Sequence, residues 1–238
     1  MRKLSDLKIQ LFADGADSQQ IAKAYANPLI RGFTTNPTLM RSAGVKEYET
    51  FAREVLDIVR DRPISFEVLA DDFAEMERQA RRLAGWAENV YVKIPVTNTR
   101  RQSSMELVSV LAQSGVKVNV TAVLTLDQVR AAAAALAGKT PSVISVFAGR
   151  IADTGRDPIP VIQRAVEIIS AQPNIELIWA SPRELLNIFH ANDAGCHIIT
   201  LTDGILSKLN AVGKDLDEFS LETVQMFYQD AARSGFKL

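Results

Sequence analysis

Short runs rich in valine, isoleucine and phenylalanine alternate with helix-length segments eight times along this chain, and that alternation restricts its fold more than any other feature. The runs occupy residues 7–15, 32–37, 63–68, 89–95, 117–121, 142–147, 176–180 and 196–201. β-Branched and aromatic residues at this density read as strands. Between them, residues 18–26, 46–59, 72–84, 103–113, 126–137, 158–171, 182–191 and 203–209 read as helices, and a further helix at 220–233 closes the chain. Asn36-Pro37 reads as a turn and 148–157 as a loop. Strict alternation with no Gly/Ser/Pro-rich linker predicts an α/β fold: a single (β/α)8 TIM barrel over residues 1–238, with an additional C-terminal helix in a helical extension at about 215–238. The competing architecture is an open doubly wound sheet. In that fold a dinucleotide site would carry a glycine-rich turn after an early strand, and neither G-x-G-x-x-G nor a P-loop occurs.

Composition narrows the partners. With 27 basic and 28 acidic residues the formal net charge is -1, which gives no reason to expect nucleic acid or an anionic membrane, and small molecules become the default. The single Cys196 excludes an internal disulfide. Without an apolar leader or a membrane-length run, the expected location is cytoplasmic. His190 and His197 stand in no metal-binding spacing, so a metal-centred mechanism is not expected.

In a barrel of this kind the active site lies at the carboxyl ends of the strands, and polar residues recur there. Asp14 ends the first strand, Thr34 and Asn36 the second, and Glu67 lies in the third; Lys93, then Asn119 with Thr121, Ser145 and Ser181 follow on strands four to seven. Lys93 stands in an otherwise apolar run that Pro95 closes. Two readings stay open for it: a lysine snorkelling from a strand tip, or an amine desolvated toward neutrality and able to attack a carbonyl. The period of two puts Tyr91 and Lys93 on one face, and Asn119 and Thr121 likewise share a face. If those faces point inward, Lys93 has carboxylates available from Asp14 and Glu67 for proton transfer. Arg150 and Arg183, behind neighbouring strands, make with Ser181 a candidate anion site, with phosphate as the commonest occupant.

The series Thr34-Thr35-Asn36-Pro37, Lys93-Ile94-Pro95, Asn119-Val120-Thr121, Phe147-Ala148-Gly149-Arg150-Ile151 and Ala180-Ser181-x-Arg183, with Asp14 and Glu67 in place, resembles the transaldolases in order over nearly the whole chain. The resemblance implies cofactor-free class I chemistry. Lys93 would form a Schiff base with a ketose phosphate, Asp14 would deprotonate the C4 hydroxyl, and Glu67 with a water near Thr121 would carry protons. Asn36, Asn119 and Ser145 would hold the dihydroxyacetone unit, and Arg150, Ser181 and Arg183 the phosphate. Related aldolases release free dihydroxyacetone; they resemble this chain but carry glutamine where it has Glu67 and tyrosine where it has Phe147, so transfer is the favoured reading. Two departures bear on substrate. The segment 98–103, with Arg100 and Arg101, replaces the usual glycine-containing turn, and Pro182 and Glu184 flank Arg183 in place of Phe and Asn. A specialised or sulfonated sugar is therefore an alternative, and a sugar-phosphate-binding barrel without catalysis is the non-enzyme one. Short members similar to this chain form homo-oligomers, pentamers or decamers, in which the terminal helix packs on a neighbour. Phe219, Leu221, Val224, Phe227 and Tyr228 give that helix an apolar stripe, which could equally cover its own barrel.

Overall fold

The structure is a computed structural model that describes residues 2–237. After a 3₁₀ turn at Leu4–Asp6, the order is β1 (Gln10–Asp14), α1 (Ser18–Tyr25), β2 (Ile30–Thr34), α2 (Pro37–Ser42), α3 (Tyr48–Ile58), β3 (Ile64–Glu67), α4 (Phe73–Ala84), β4 (Val90–Pro95), α5 (Met105–Gln113), β5 (Val118–Val123) and α6 (Leu126–Ala135). There follow β6 (Ser142–Val146), α7 (Ala148–Ala152), α8 (Ile159–Ile169), β7 (Ile175–Trp179), α9 (Asn187–Asp193), β8 (Ile198–Thr202), α10 (Asp203–Leu206), a 3₁₀ turn at Leu209–Ala211, and α11 (Leu216–Ser234). The eight strands close into a parallel barrel in sequence order. The expected TIM barrel with a C-terminal helix is what the chain forms.

The period-two alternation builds two cores. Outward-facing Leu11, Val92, Ile94, Val120, Ile144, Leu177 and Ile199 join the large cluster under the helices, with Val55, Met76, Leu111, Val129 and Ile162 opposite. Full burial of such a side chain contributes roughly 1.5–3 kcal/mol. Inward-facing Phe12, Val143, Ile178, Ala180 and Ile198 form a smaller cluster with Tyr91 and Phe147. Gly32 makes room for that floor, because a Cβ there would lie 2.4 Å from the Phe12 ring. Two residues further along these strands, the inward positions turn polar: Phe12 is followed by Asp14, Tyr91 by Lys93, Val143 by Ser145 and Ile198 by Thr200. A polar layer on an apolar plug is the result.

Four helix assignments differ from the sequence reading. Asn36-Pro37 starts α2 rather than ending in a turn: Asn36 Oδ1 accepts from the Leu39 amide at 2.9 Å, and Pro37 occupies the first turn, where its missing N–H costs nothing. Within the expected loop 148–157, α7 forms one short turn. The helix expected at 182–191 starts only at Asn187, whose Oδ1 accepts from the Arg183 and Glu184 amides and holds those residues in a turn. The terminal helix begins at Leu216, four residues before 220, because Asp215 caps it by accepting from the Asp217 and Glu218 amides. None of the α11 residues is buried. Among the described residues no helix is long and apolar enough to cross a membrane.

Candidate active site

Lys93 is inward-facing and 6% exposed. Its Nζ donates to the Thr35 carbonyl at 2.9 Å and lies 3.1 Å from Glu67 Oε2. The β3–β4 register pairs Glu67 directly with Lys93. The lysine therefore does not snorkel, nor are its walls simply apolar: the Thr35 carbonyl accepts its hydrogen bond and the Glu67 carboxylate forms an ion pair with it. The Glu67 backbone is held in turn, since Tyr48 Oη donates to its carbonyl at 2.8 Å. Burial pushes the Tyr48 hydroxyl well above the usual tyrosine range, so at neutral pH it remains a donor.

Across the barrel, β1 and β2 pair Asp14 with Thr34. Thr34 Oγ1 donates to Asp14 Oδ1 at 2.7 Å and lies 2.5 Å from Thr200 Oγ1. Burial raises the Asp14 carboxyl above its ordinary value; Lys93 and the Thr34 hydroxyl act against that shift, and Glu67 adds to it. A carboxylate with its proton affinity raised in this way is suited to accept a proton from substrate.

A cavity of about 400 Å³ opens above these groups. Of the residues singled out in the sequence, Asp14, Thr34, Asn36, Glu67, Lys93, Thr121, Ser145, Phe147, Arg150 and Ser181 line it. Thr121 Oγ1 is buried without a hydrogen-bond partner among the described residues, so it can still donate to and accept from a bound molecule. The next residue, Ala122, stands at φ 60°, where the β5–β6 register slips between Val120 and Val123. The Arg150 guanidinium lies 5.8 Å from the centre of the Phe147 ring. Asn119 and Arg183 are placed differently, outside the cavity lining. Asn119 is fully buried; its Oδ1 accepts from Ser145 Oγ at 2.7 Å and its Nδ2 donates to Ser65 Oγ at 3.1 Å, so it braces Ser145. Arg183 grips Asp153 through two bonds, Nε to Oδ1 at 2.9 Å and Nη2 to Oδ2 at 2.5 Å. Arg100 and Arg101 are exposed on a hairpin closed by the Thr97–Ser103 bridge, and neither lines the cavity.

Two participants were missed in the sequence: Thr200, which lines the cavity, and the Thr35 carbonyl. Thr200 had a signal, because Ile198, Thr200 and Thr202 alternate on β8 as Tyr91 and Lys93 do on β4. The Thr35 carbonyl had none. Among the described residues no group of three or more His, Cys, Asp and Glu side chains is placed to hold a metal ion.

The fold alone is similar to distant enzymes. The solved structure of mandelate oxidase with 3,3-difluoro-2-hydroxy-3-phenylpropionic acid aligns with a TM-score of 0.55 at 15% identity, covering 85% of this chain and 70% of that one. Sequence comparison is more specific. The family described as Transaldolase/Fructose-6-phosphate aldolase matches residues 11–238. A probable transaldolase of Thermoanaerobacter sp. (strain X514) is 34% identical over 97% of this chain and 100% of its own length. Those of Methanococcus maripaludis (strain C7 / ATCC BAA-1331) and Dehalococcoides mccartyi (strain ATCC BAA-2266 / KCTC 15142 / 195) are 36% and 33% identical over 84% of this chain, covering 89% and 90% of their own lengths. A match running from the first strand to the C-terminus, with relatives a third identical along nearly their full length, places the chain in the transaldolase/fructose-6-phosphate aldolase family, as an enzyme of the aldolase/transaldolase type.

Proposed function

We propose that this protein is a class I Schiff-base transaldolase that moves a dihydroxyacetone unit from a ketose phosphate, of the fructose 6-phosphate or sedoheptulose 7-phosphate type, to an aldose phosphate acceptor. The observation that carries the reading is the buried Lys93 amine 3.1 Å from Glu67 at the base of a polar cavity that Asp14 also lines. Glu67 takes a proton from Lys93, and the free amine attacks C2 of the ketose. The carbonyl oxygen takes up two protons, the one Glu67 holds and one that the attacking nitrogen gives up, relayed through Glu67 and a water near Thr121, and leaves as water, which gives the iminium. Asp14 then removes the C4 hydroxyl proton. The C3–C4 bond breaks, its electron pair passes into the iminium to form an enamine, and the aldose phosphate departs, glyceraldehyde 3-phosphate when the donor is fructose 6-phosphate. The enamine C3 attacks the acceptor aldehyde, whose oxygen takes the proton back from Asp14. Hydrolysis of the new iminium releases product and restores Lys93.

The anionic end of the sugar is assigned to Arg150 and Ser181, both at the cavity, with Arg183 behind them. Transfer is favoured over simple cleavage by Glu67 and by Phe147, which lines the cavity without offering a hydroxyl. Borohydride reduction in the presence of fructose 6-phosphate should leave a substrate adduct on Lys93, found by mass spectrometry and missing in Lys93→Met. Its absence from the native enzyme with every ketose phosphate tried would sink the mechanism. Release of glyceraldehyde 3-phosphate should depend on added erythrose 4-phosphate; acceptor-independent release would instead identify an aldolase. We also propose a homo-oligomer, a pentamer or decamer, because α11 leaves Phe219, Leu221, Val224, Phe227 and Tyr228 exposed. A monomer by light scattering would exclude it.

A further inference from the structure

Strands β1, β3, β4 and β5 contribute Asp14, Glu67, Lys93 and Thr121 to the scheme above, and β8 contributes Thr200 to the same cavity, with no place in that scheme. The Thr200 hydroxyl is inward, the residue is 5% exposed, and its oxygen meets Thr34 Oγ1 at 2.5 Å. Valine would fill the same volume, so packing alone does not account for a hydroxyl here.

Counting protons fixes the direction of the contact. Thr34 has one hydroxyl proton. When Asp14 is ionised it can only accept, so that proton lies in the 2.7 Å bond to Asp14 Oδ1. The Thr34–Thr200 contact is then donated by Thr200, and the chain runs from Thr200 through Thr34 to Asp14. A hydroxyl that accepts a hydrogen bond becomes a stronger donor in its next one. Other groups also act on Asp14: Lys93 from β4 favours the carboxylate and Glu67 from β3 opposes it. Asp203 of α10 shares a small crevice with Asp14 on one side, and Arg150 of α7 lines the main cavity on the other.

We propose that Thr200 is a positioning residue for the base: by donating to Thr34 it fixes the direction of that hydroxyl and holds Asp14 as the proton-accepting carboxylate. The role of Asp14 as base rests on the proposed function, whereas the hydroxyl chain does not. No proton leaves the protein through this chain. The substrate C4 proton ends on Asp14, and each threonine keeps its own.

The test is a ¹³C NMR titration of the enzyme labelled at aspartate side-chain carboxyls, with the Asp14 signal identified by its loss in Asp14→Asn. In Thr200→Val the Asp14 midpoint should rise by roughly half a pH unit, the size expected for weakening one charge-assisted bond by a fraction of its strength. Thr34→Val should move it further in the same direction, and Thr200→Ser should restore it. If the valine variant loses its native circular-dichroism spectrum, Thr200→Ala removes the same hydroxyl without bulk. A midpoint that stays put or falls when the Thr200 hydroxyl is removed overturns the proposal. Borohydride trapping on the native enzyme is the independent arm: a shifted titration without a Lys93 adduct discards the Schiff-base reading and keeps the chain, and an adduct with an unshifted titration does the opposite.

Discussion

Gly149→Ala tests how the arginine-bearing end of the cavity is built. The glycine approaches the neighbouring loop so closely that a Cβ would stand 1.5 Å from the Ser181 carbonyl oxygen and 2.6 Å from its carbonyl carbon. Both are backbone atoms, so no rotamer can relieve the contact. Ordinary separation for such atoms is near 3.5 Å, and the loop must therefore move by about 2 Å. Ser181 has little freedom to absorb this, since it already sits at φ 57°. Overpacking of this kind costs about 1–3 kcal/mol, which in a chain of this size lowers Tm by roughly 3–10 °C. Displacing Ser181 and Arg150 by an ångström or more should also reduce kcat/KM for fructose 6-phosphate about 10²-fold. Unphosphorylated dihydroxyacetone should still be trapped on Lys93 by borohydride at close to the native rate, because Lys93, Glu67 and Asp14 lie on other strands. The assays are differential scanning calorimetry, steady-state kinetics and trapping. A Tm within 1 °C of the native value together with an unchanged KM would refute the steric argument.

Asp14→Asn should raise Tm at pH 7–8 while abolishing turnover. The folded-state carboxyl lies above its ordinary value of 3.8 because of burial, so the folded protein holds that proton more tightly than the unfolded one. Its contribution to stability is fully present below about pH 3.8 and is lost as pH rises through the folded value, and the advantage of asparagine should shrink on acidification; a Tm difference independent of pH, or of opposite sign, contradicts this. Glu67→Gln keeps the shape but removes the proton acceptor 3.1 Å from Lys93, and Phe147 has no hydroxyl to take its place. The rate of adduct formation, read from borohydride quenches against time, should fall about 10²-fold or more, and an unchanged rate would mean that Glu67 carries no proton.

Much of the candidate site was legible because a strand alternates with period two, which puts Tyr91 with Lys93 and Asn119 with Thr121 on shared faces, while the closed barrel decides that these faces point inward. Thr200 obeys the same rule, and the alternation of Ile198, Thr200 and Thr202 on β8 would have placed it with them. Depth within the barrel was not legible. Lys93 and Asn119 are register partners, yet the long lysine side chain reaches the cavity while the short amide stays below, bonded to Ser65 and Ser145. Side-chain length combined with strand stagger decides this, and stagger leaves no mark in a one-dimensional pattern. The start of α2 was hidden for another reason, since Asn-Pro suits both a turn and a capped helix.

Arg183 shows where sequence reasoning reaches its limit and the geometry supplies a new argument. From the sequence it was an anion ligand beside Arg150; in the fold Asp153 occupies its guanidinium through two bonds, and that arginine holds the Asp153 carboxyl below its usual range. An incoming substrate anion that is to reach Arg183 must compete with this carboxylate for the same planar fork. A phosphate ester carries about −1.5 to −2 charge at pH 7, whereas a sulfonate carries a single negative charge, the same as Asp153 itself. Competition against an equal charge already in bidentate geometry gains little; competition by a dianion gains more, particularly with Arg150 adjacent to share it. On the proposed function, the exposed Arg183–Asp153 pair beside the cavity therefore weighs the choice between a phosphorylated and a sulfonated sugar toward the phosphate.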